Sequence, residues 1–146
     1  MQLTRFTDYS LRVLLYVGRA KGRICTMAEI AAYFGISLEH LRKVVHRLAR
    51  LGYLRSCRGR SGGLLLGRDA DAIRLGEVIV AMEEDLSIID CEALACVLLP
   101  DCALKIELDR AGRAFLAALN EKTLADVLGS RRMQRQFRGI EIAHAS

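Results

Sequence analysis

Aromatic residues make up only 5% of this 146-residue chain while hydrophobic residues make up 52%. That composition allows a packed helical core of leucine, isoleucine, valine and alanine. No apolar run approaches the roughly eighteen residues that would mark a membrane span, and no membrane partner is expected. The opening MQLTRFTDYS lacks the charged-then-apolar pattern of a secretory leader, so the chain is placed in the cytoplasm. There is no C-x-x-C redox pair, no phosphate-cradling glycine loop and no hydrolase-type nucleophile motif, so the chain is not read as an enzyme. The length implies one domain, or one domain with an extension.

What is present is uneven. Residues 1–70 carry 13 Lys/Arg against 4 Asp/Glu, a balance of +9, whereas residues 71–146 carry 9 against 13, a balance of −4. The N-terminal half is the part that would meet a polyanion. The 5 cysteines are an odd number, and in a reducing compartment they argue for metal or redox roles over structural disulfides.

From about Thr4 to Arg19, Phe6, Leu11, Leu14, Leu15 and Tyr16 recur at helical spacing and predict a first helix, with Asp8 in its early turns. KGRIC breaks the pattern. Thr26, with Glu29 three residues on, forms a capping box that starts a second helix over MAEIAAYF, which Gly35 ends. Ser37 caps a third helix, LEHLRKVVHRLARLG, whose Leu41, Val44, Val45 and Leu48 face inward. Glu39, His40, Arg42, Lys43, His46, Arg47 and Arg50 occupy the opposite arc. Two helices joined by a short glycine-containing turn make a helix-turn-helix over about residues 26–51, with the second helix as reader.

YLRSC and LLLGR then read as two short strands around the glycine-rich tip RGRSGG, a wing over about residues 53–68. Gly59, Gly62 and Gly63 permit the turn, and Arg55, Arg58, Arg60 and Arg68 surround it, suited to phosphates or a narrow minor groove. Ser37, His40, Arg42, Lys43, Arg47, Arg58 and Arg60 are the expected DNA-binding residues. A fourth helix follows from about Ala72 to Met82. From Ala103 to about Leu119, Leu104, Leu108, Ala111, Phe115 and Ala118 form a coiled-coil-like stripe that calls for a partner, and a two-fold dimer would set two readers on one duplex. Thr123 caps a short last helix, TLADVLG, and the basic tail from Arg131 is read as loosely ordered.

Between these helices lies CEALACVLLPDC. Cys91, Cys96 and Cys102 have four and then five residues between them and are bent by the chain's only proline, Pro100. Thiolates so spaced can converge on a soft metal centre. Zinc sites favour shorter chelating pairs and no histidine follows nearby. The acidic neighbours Asp90, Glu92 and Asp101 would raise thiol pKa values, which disfavours a metal-free thiol switch. An iron–sulfur cluster suits the loop best, whether of two or four irons, with zinc, a redox switch and inert packing as the alternatives. The loop supplies three ligands where a cluster wants four. A weak oxygen donor from elsewhere would leave one iron exchangeable, as a sensor of a small molecule requires; Cys25 and Cys57 read as structural.

These features together resemble a family of small bacterial winged-helix regulators that includes the iron–sulfur regulator IscR and a nitric-oxide-sensitive branch. LTRFTDYSLRVLLYV, the wing RGRSGGLLLG, the three cysteines and TLADVL occur in the family's order. The IscR branch carries a histidine after its third cysteine, as C-x2-H, where this chain has Lys105, and wider spacing between its first two cysteines. The nitric-oxide branch is the nearer match. The resemblance implies a homodimer in which Asp8 of the partner subunit supplies the fourth ligand; read from the residues alone, Asp8 is four residues before Arg12 and makes an i,i+4 salt bridge.

The expected fold is mainly α: a winged helix-turn-helix with a long dimerisation helix and a small two-stranded wing. Its layout is a DNA-binding region at 1–82, a cluster-binding loop at 83–102, the dimerisation helix and short last helix at 103–129, and the basic tail at 130–146. The expected function is a repressor that senses nitric oxide through its cluster and releases the operator DNA of nitrosative-stress genes. The alternative within the family is a regulator responding to iron–sulfur or redox status. An oxidoreductase or iron–sulfur carrier with no DNA target is the competing class, and it predicts turnover or cluster transfer without operator binding.

Overall fold

The computed structural model describes residues 2–143, with side chains to Arg138. Helix α1 spans Arg5–Arg19 and begins where Thr4 accepts a hydrogen bond from the Thr7 amide. Helix α2, Met27–Phe34, starts at Thr26, whose hydroxyl accepts from the Glu29 amide at 3.1 Å. It stops at Gly35, whose φ of 64° is the left-handed conformation that a side chain disfavours. Helix α3, Leu38–Arg50, is capped by Ser37. The inward stripe is as expected: Leu41 and Leu48 are fully buried and Val44 and Val45 nearly so. Truncating either leucine to alanine would cost about 2–5 kcal/mol.

Strands β1, Leu54–Cys57, and β2, Gly63–Leu66, form the antiparallel wing, with Leu54 opposite Leu66 and Cys57 opposite Gly63. Cys25 bridges to the other side of β2, exchanging backbone hydrogen bonds with Leu64 at 3.0 and 2.7 Å. Gly63 is obligatory there, because a Cβ would run into the Cys25 carbonyl. The fourth helix starts later than its apolar pattern suggests. Ala70–Ala72 make a single 3-10 turn and α4 spans Leu75–Met82. Its N-cap Arg74 pairs with Thr123 and donates to the Asn120 carbonyl at 2.7 Å.

Helix α5, Ala103–Asn120, packs on α4, where Gly76 gives way to Asn120 and the Leu116 backbone. Helix α6, Leu124–Gly129, opens on a complete capping box between Thr123 and Asp126. The tail is not loosely ordered as expected: Arg131–Ala143 form helix α7. The Ser130 hydroxyl accepts from the Met133 amide at 3.2 Å, and Phe137, only 4% exposed, anchors the helix on the ring of Tyr33. The last three residues of that tail, 144–146, lie outside the described residues. Among the described residues, no helix is long and apolar enough to cross a membrane.

Candidate DNA interface and cysteine pocket

The apolar stripe of α3 packs inward and so turns its polar arc outward, where Ser37, His40, Arg42, Lys43 and Arg47 are all exposed. These groups are not equally available. The Ser37 hydroxyl lies 3.0 Å from His40 Nδ1, which fixes that ring at the start of the helix. Lys43 is 3.7 Å from Glu39, a solvated pair that costs little to open. Arg42 is exposed on the same arc.

Arg47, also exposed, donates through one guanidinium nitrogen to the Ala81 carbonyl at 3.3 Å and so ties the last turn of α3 to the end of α4. In the wing, Arg58 and Arg60 are exposed beside Gly59, whose φ is 115°. Arg68 does not belong to the tip as the sequence suggested. It lies over the Tyr53 ring at 4.4 Å and donates to the Leu51 and Gly52 carbonyls, closing the C-terminus of α3. Arginine is suited to that place because its planar fork satisfies two orphan carbonyls while it stacks.

Cys91, Cys96 and Cys102 are half-buried and line one cavity of about 440 Å³ with Ile89, Leu94, Val97, Leu98, Leu104, Lys105 and Leu108. A chain of tight turns holds them. Asp90 accepts from the Ala93 amide at 2.9 Å, the Cys96 amide donates to the Cys91 carbonyl at 3.1 Å, and the Leu99 amide donates to the Cys96 carbonyl at 3.2 Å. Cys102 is the N-cap of α5, and no side chain makes a capping hydrogen bond to that helix. Lys105, one turn on, bonds Asp109 at 2.7 Å, which holds its ammonium above the ordinary lysine range, with Cys91 and Glu92 adding to the effect.

Among the described residues, no three histidine, cysteine or carboxylate side chains within one chain already stand at metal-coordinating separations. Three soft thiols around a mostly apolar cavity, with a cation and a helix N-terminus beside them, nevertheless match the chemistry of an anionic iron–sulfur cluster. Asp8 is engaged on its own helix, where Arg12 bonds both its oxygens at 3.0 and 2.9 Å. Cys25 and Cys57 lie apart from the loop, Cys25 in its backbone bridge to β2 and Cys57 at the end of β1. Burial pushes the Cys25 thiol up to about 11, as befits a packing residue.

The residues the sequence did not single out are those that join the two sites. Glu83, the first residue after α4, accepts from the Thr4 amide at 2.7 Å and the Thr4 hydroxyl at 3.1 Å. The cysteine loop thus begins on a bond to the N-terminus of α1, two residues from the carbonyl that holds Arg47 of α3. Thr4, Phe6, Arg47, Ala81, Met82, Glu83, Glu84 and Asp85 surround a cavity of about 750 Å³ at this junction. The only signal was the acidic run EED, which says nothing of its partners.

Residues 3–130 match the family model of Rrf2, described as an iron-dependent transcriptional regulator. The chain is similar to the solved structure of CymR from B. subtilis, "the Global Cysteine Regulator", at 27% identity over 86% of this chain and 95% of that one, with a TM-score of 0.73. It is similar also to CymR of Staphylococcus aureus, at 26% identity over 87% and 98% of the two chains and a TM-score of 0.72. T. potens IscR, at 21% identity over 88% and 86% and a TM-score of 0.72, shares the fold.

Proposed function

The chain belongs to the Rrf2 family of transcriptional regulators, and on that premise we propose that it is a nitric-oxide-sensing repressor of the NsrR kind. Two copies would pair through α5, none of whose residues is buried within one chain and whose Leu104 and Ile106 are 64% and 59% exposed. Cys91, Cys96 and Cys102, with Asp8 of the second copy, would hold an iron–sulfur cluster. When bound, that group supplies iron that reacts with nitric oxide. The gathering of three cysteines around one cavity, at the start of α5, is the observation that carries this reading.

The protein's own residues do the rest. Ser37, His40, Arg42 and Lys43 present the reading face of α3 to operator DNA, and Arg58 and Arg60 bring the wing to its backbone. Glu83 fixes the root of the cysteine loop to α1, and Ala81 holds Arg47. A change in the loop therefore reaches the pitch of α3 through two hydrogen-bonded joints, and DNA affinity follows as a shift between two populations.

The test is anaerobic isolation followed by operator binding. The expected result is a brown protein with visible charge-transfer absorption, lost in Cys91→Ser, Cys96→Ser and Cys102→Ser, that releases DNA on exposure to nitric oxide. A colourless or zinc-containing protein, or one whose DNA affinity ignores nitric oxide, would overturn the reading. The thiols' lack of a preassembled ligand set favours one second reading, a regulator of iron–sulfur or redox status. It predicts DNA affinity that follows cluster loading or oxidant and not nitric oxide.

A further inference from the structure

Four arginines at the start of α7 form a strongly charged surface that the reading helix and wing leave unused. Arg131, Arg135 and Arg138 recur at spacings of four and three residues, so they lie on one face of the helix, and Arg132 flanks them. All four are exposed, and no acidic residue falls between them. Solvation alone would explain a charged face on a free tail. This helix is not free.

Phe137 stacks on Tyr33 of α2 with centroids 6.1 Å apart and an interplanar angle of 24°. Tyr33 is itself wedged against Phe34 at 4.8 Å and Tyr16 at 5.4 Å. The cations are thus pinned to the first helix of the helix-turn-helix, the helix that in this motif crosses the DNA backbone. We propose that the arginine stripe of α7 is a second phosphate-contacting surface, occupied by the duplex flanking the operator. The inference rests on the DNA-binding part of the proposed function and is independent of the cluster.

The geometry sets the size of the effect. Seven residues of helix extend about 10 Å, which matches about three phosphates along one DNA strand. Neutralising three phosphates steepens the dependence of log affinity on log salt by about 2.7, a further loss of about 40-fold between about 50 and 200 mM salt.

The experiment measures the full chain by fluorescence anisotropy at several salt concentrations. One duplex carries only the core site selected from a random pool, and a second carries the same site extended on one side by about one helical turn, roughly 10 base pairs. The wild type should gain affinity and salt dependence on the longer duplex. The combined variant Arg131→Gln, Arg132→Gln, Arg135→Gln, Arg138→Gln should lose that gain, its slope shallower by about 2–3, while binding the core duplex as before. Phe137→Ala, which keeps every charge and removes the anchor, should lose the same gain. Equal slopes for wild type and either variant on the longer duplex, or equal weakening on both duplexes, would overturn the proposal. Failure of the wild type to bind either duplex would overturn the DNA-binding reading itself.

Discussion

Replacing Glu83 by alanine removes the two hydrogen bonds that fasten the root of the cysteine loop to Thr4. Both are charge-assisted, and such bonds contribute about 1.5–3 kcal/mol each when shielded and less in the solvated setting of this junction. The carboxylate also faces the N-terminus of α1, a favourable placement that adds about 0.3–1 kcal/mol. Together these set an expected loss of about 1–2 kcal/mol, or about 3–8 °C in melting temperature for a chain of this size. Glu83→Gln keeps an oxygen acceptor and should lose less than half of that. The same energy bounds function: a joint worth about 1–2 kcal/mol can transmit at most about a 5- to 30-fold change in DNA affinity. The assay compares operator affinity of cluster-loaded and cluster-free protein. Glu83→Ala should bring the two values together, whereas damage without a role in coupling would weaken both equally. A variant that melts with the wild type and preserves the affinity ratio would refute the reasoning.

Asp8→Asn should still bind iron through the three thiols but alter the visible spectrum and the rate of response to nitric oxide, measured by anaerobic stopped flow; an unchanged spectrum and rate would remove Asp8 from the ligand set. Stability should fall in alkali, because burial pushes Tyr16 from 10.0 up to about 12 and Cys25 from 9.0 up to about 11. The folded chain keeps both protons to higher pH than the unfolded chain does, so this contribution is complete below the unfolded values and is lost as pH rises through the folded ones. Roughly 2–3 kcal/mol should be gone by about pH 10.5 relative to about pH 8, and denaturant midpoints that stay flat over that range would contradict it.

The parts of the fold that were legible rest on short-range rules. Leu41, Val44, Val45 and Leu48 repeat at the helical period, and the caps Thr26, Ser37 and Thr123 lie three residues from the amides they serve. The wing was legible because two short apolar strands flank the glycine-rich tip RGRSGG. What could not be read depends on partners remote in the chain. The sequence shows neither the bond from Arg47 to the Ala81 carbonyl nor the place of Arg68 over Tyr53 and against the Leu51 carbonyl. RRMQRQFR has the composition of a solvated tail; beside its Ser130 cap, the stacking of Phe137 on Tyr33 links residues that no local pattern pairs. Glu83 and Thr4 are separated by 79 positions, so no local pattern links the acidic run to α1.

Asp8 brings these threads together. Its pairing with Arg12 is the arrangement the residues alone suggested, yet both side chains are 43% exposed, and a pair so solvated is worth only about 0–1 kcal/mol. Such a bond does not commit the carboxylate; a second copy could draw it away at small cost. On the proposed reading a single chain would lack a fourth donor at the cysteine cavity, and α5 has no residue buried within one chain. One event, the approach of a second copy along α5, would satisfy both. In that arrangement the weakest ligand is also the one that crosses between subunits. It begins four residues along the same helix from Thr4, whose bond to Glu83 anchors the loop. Chemistry that displaced the carboxylate would therefore act first on the joint between subunits, while the three thiolates still held the cluster in place.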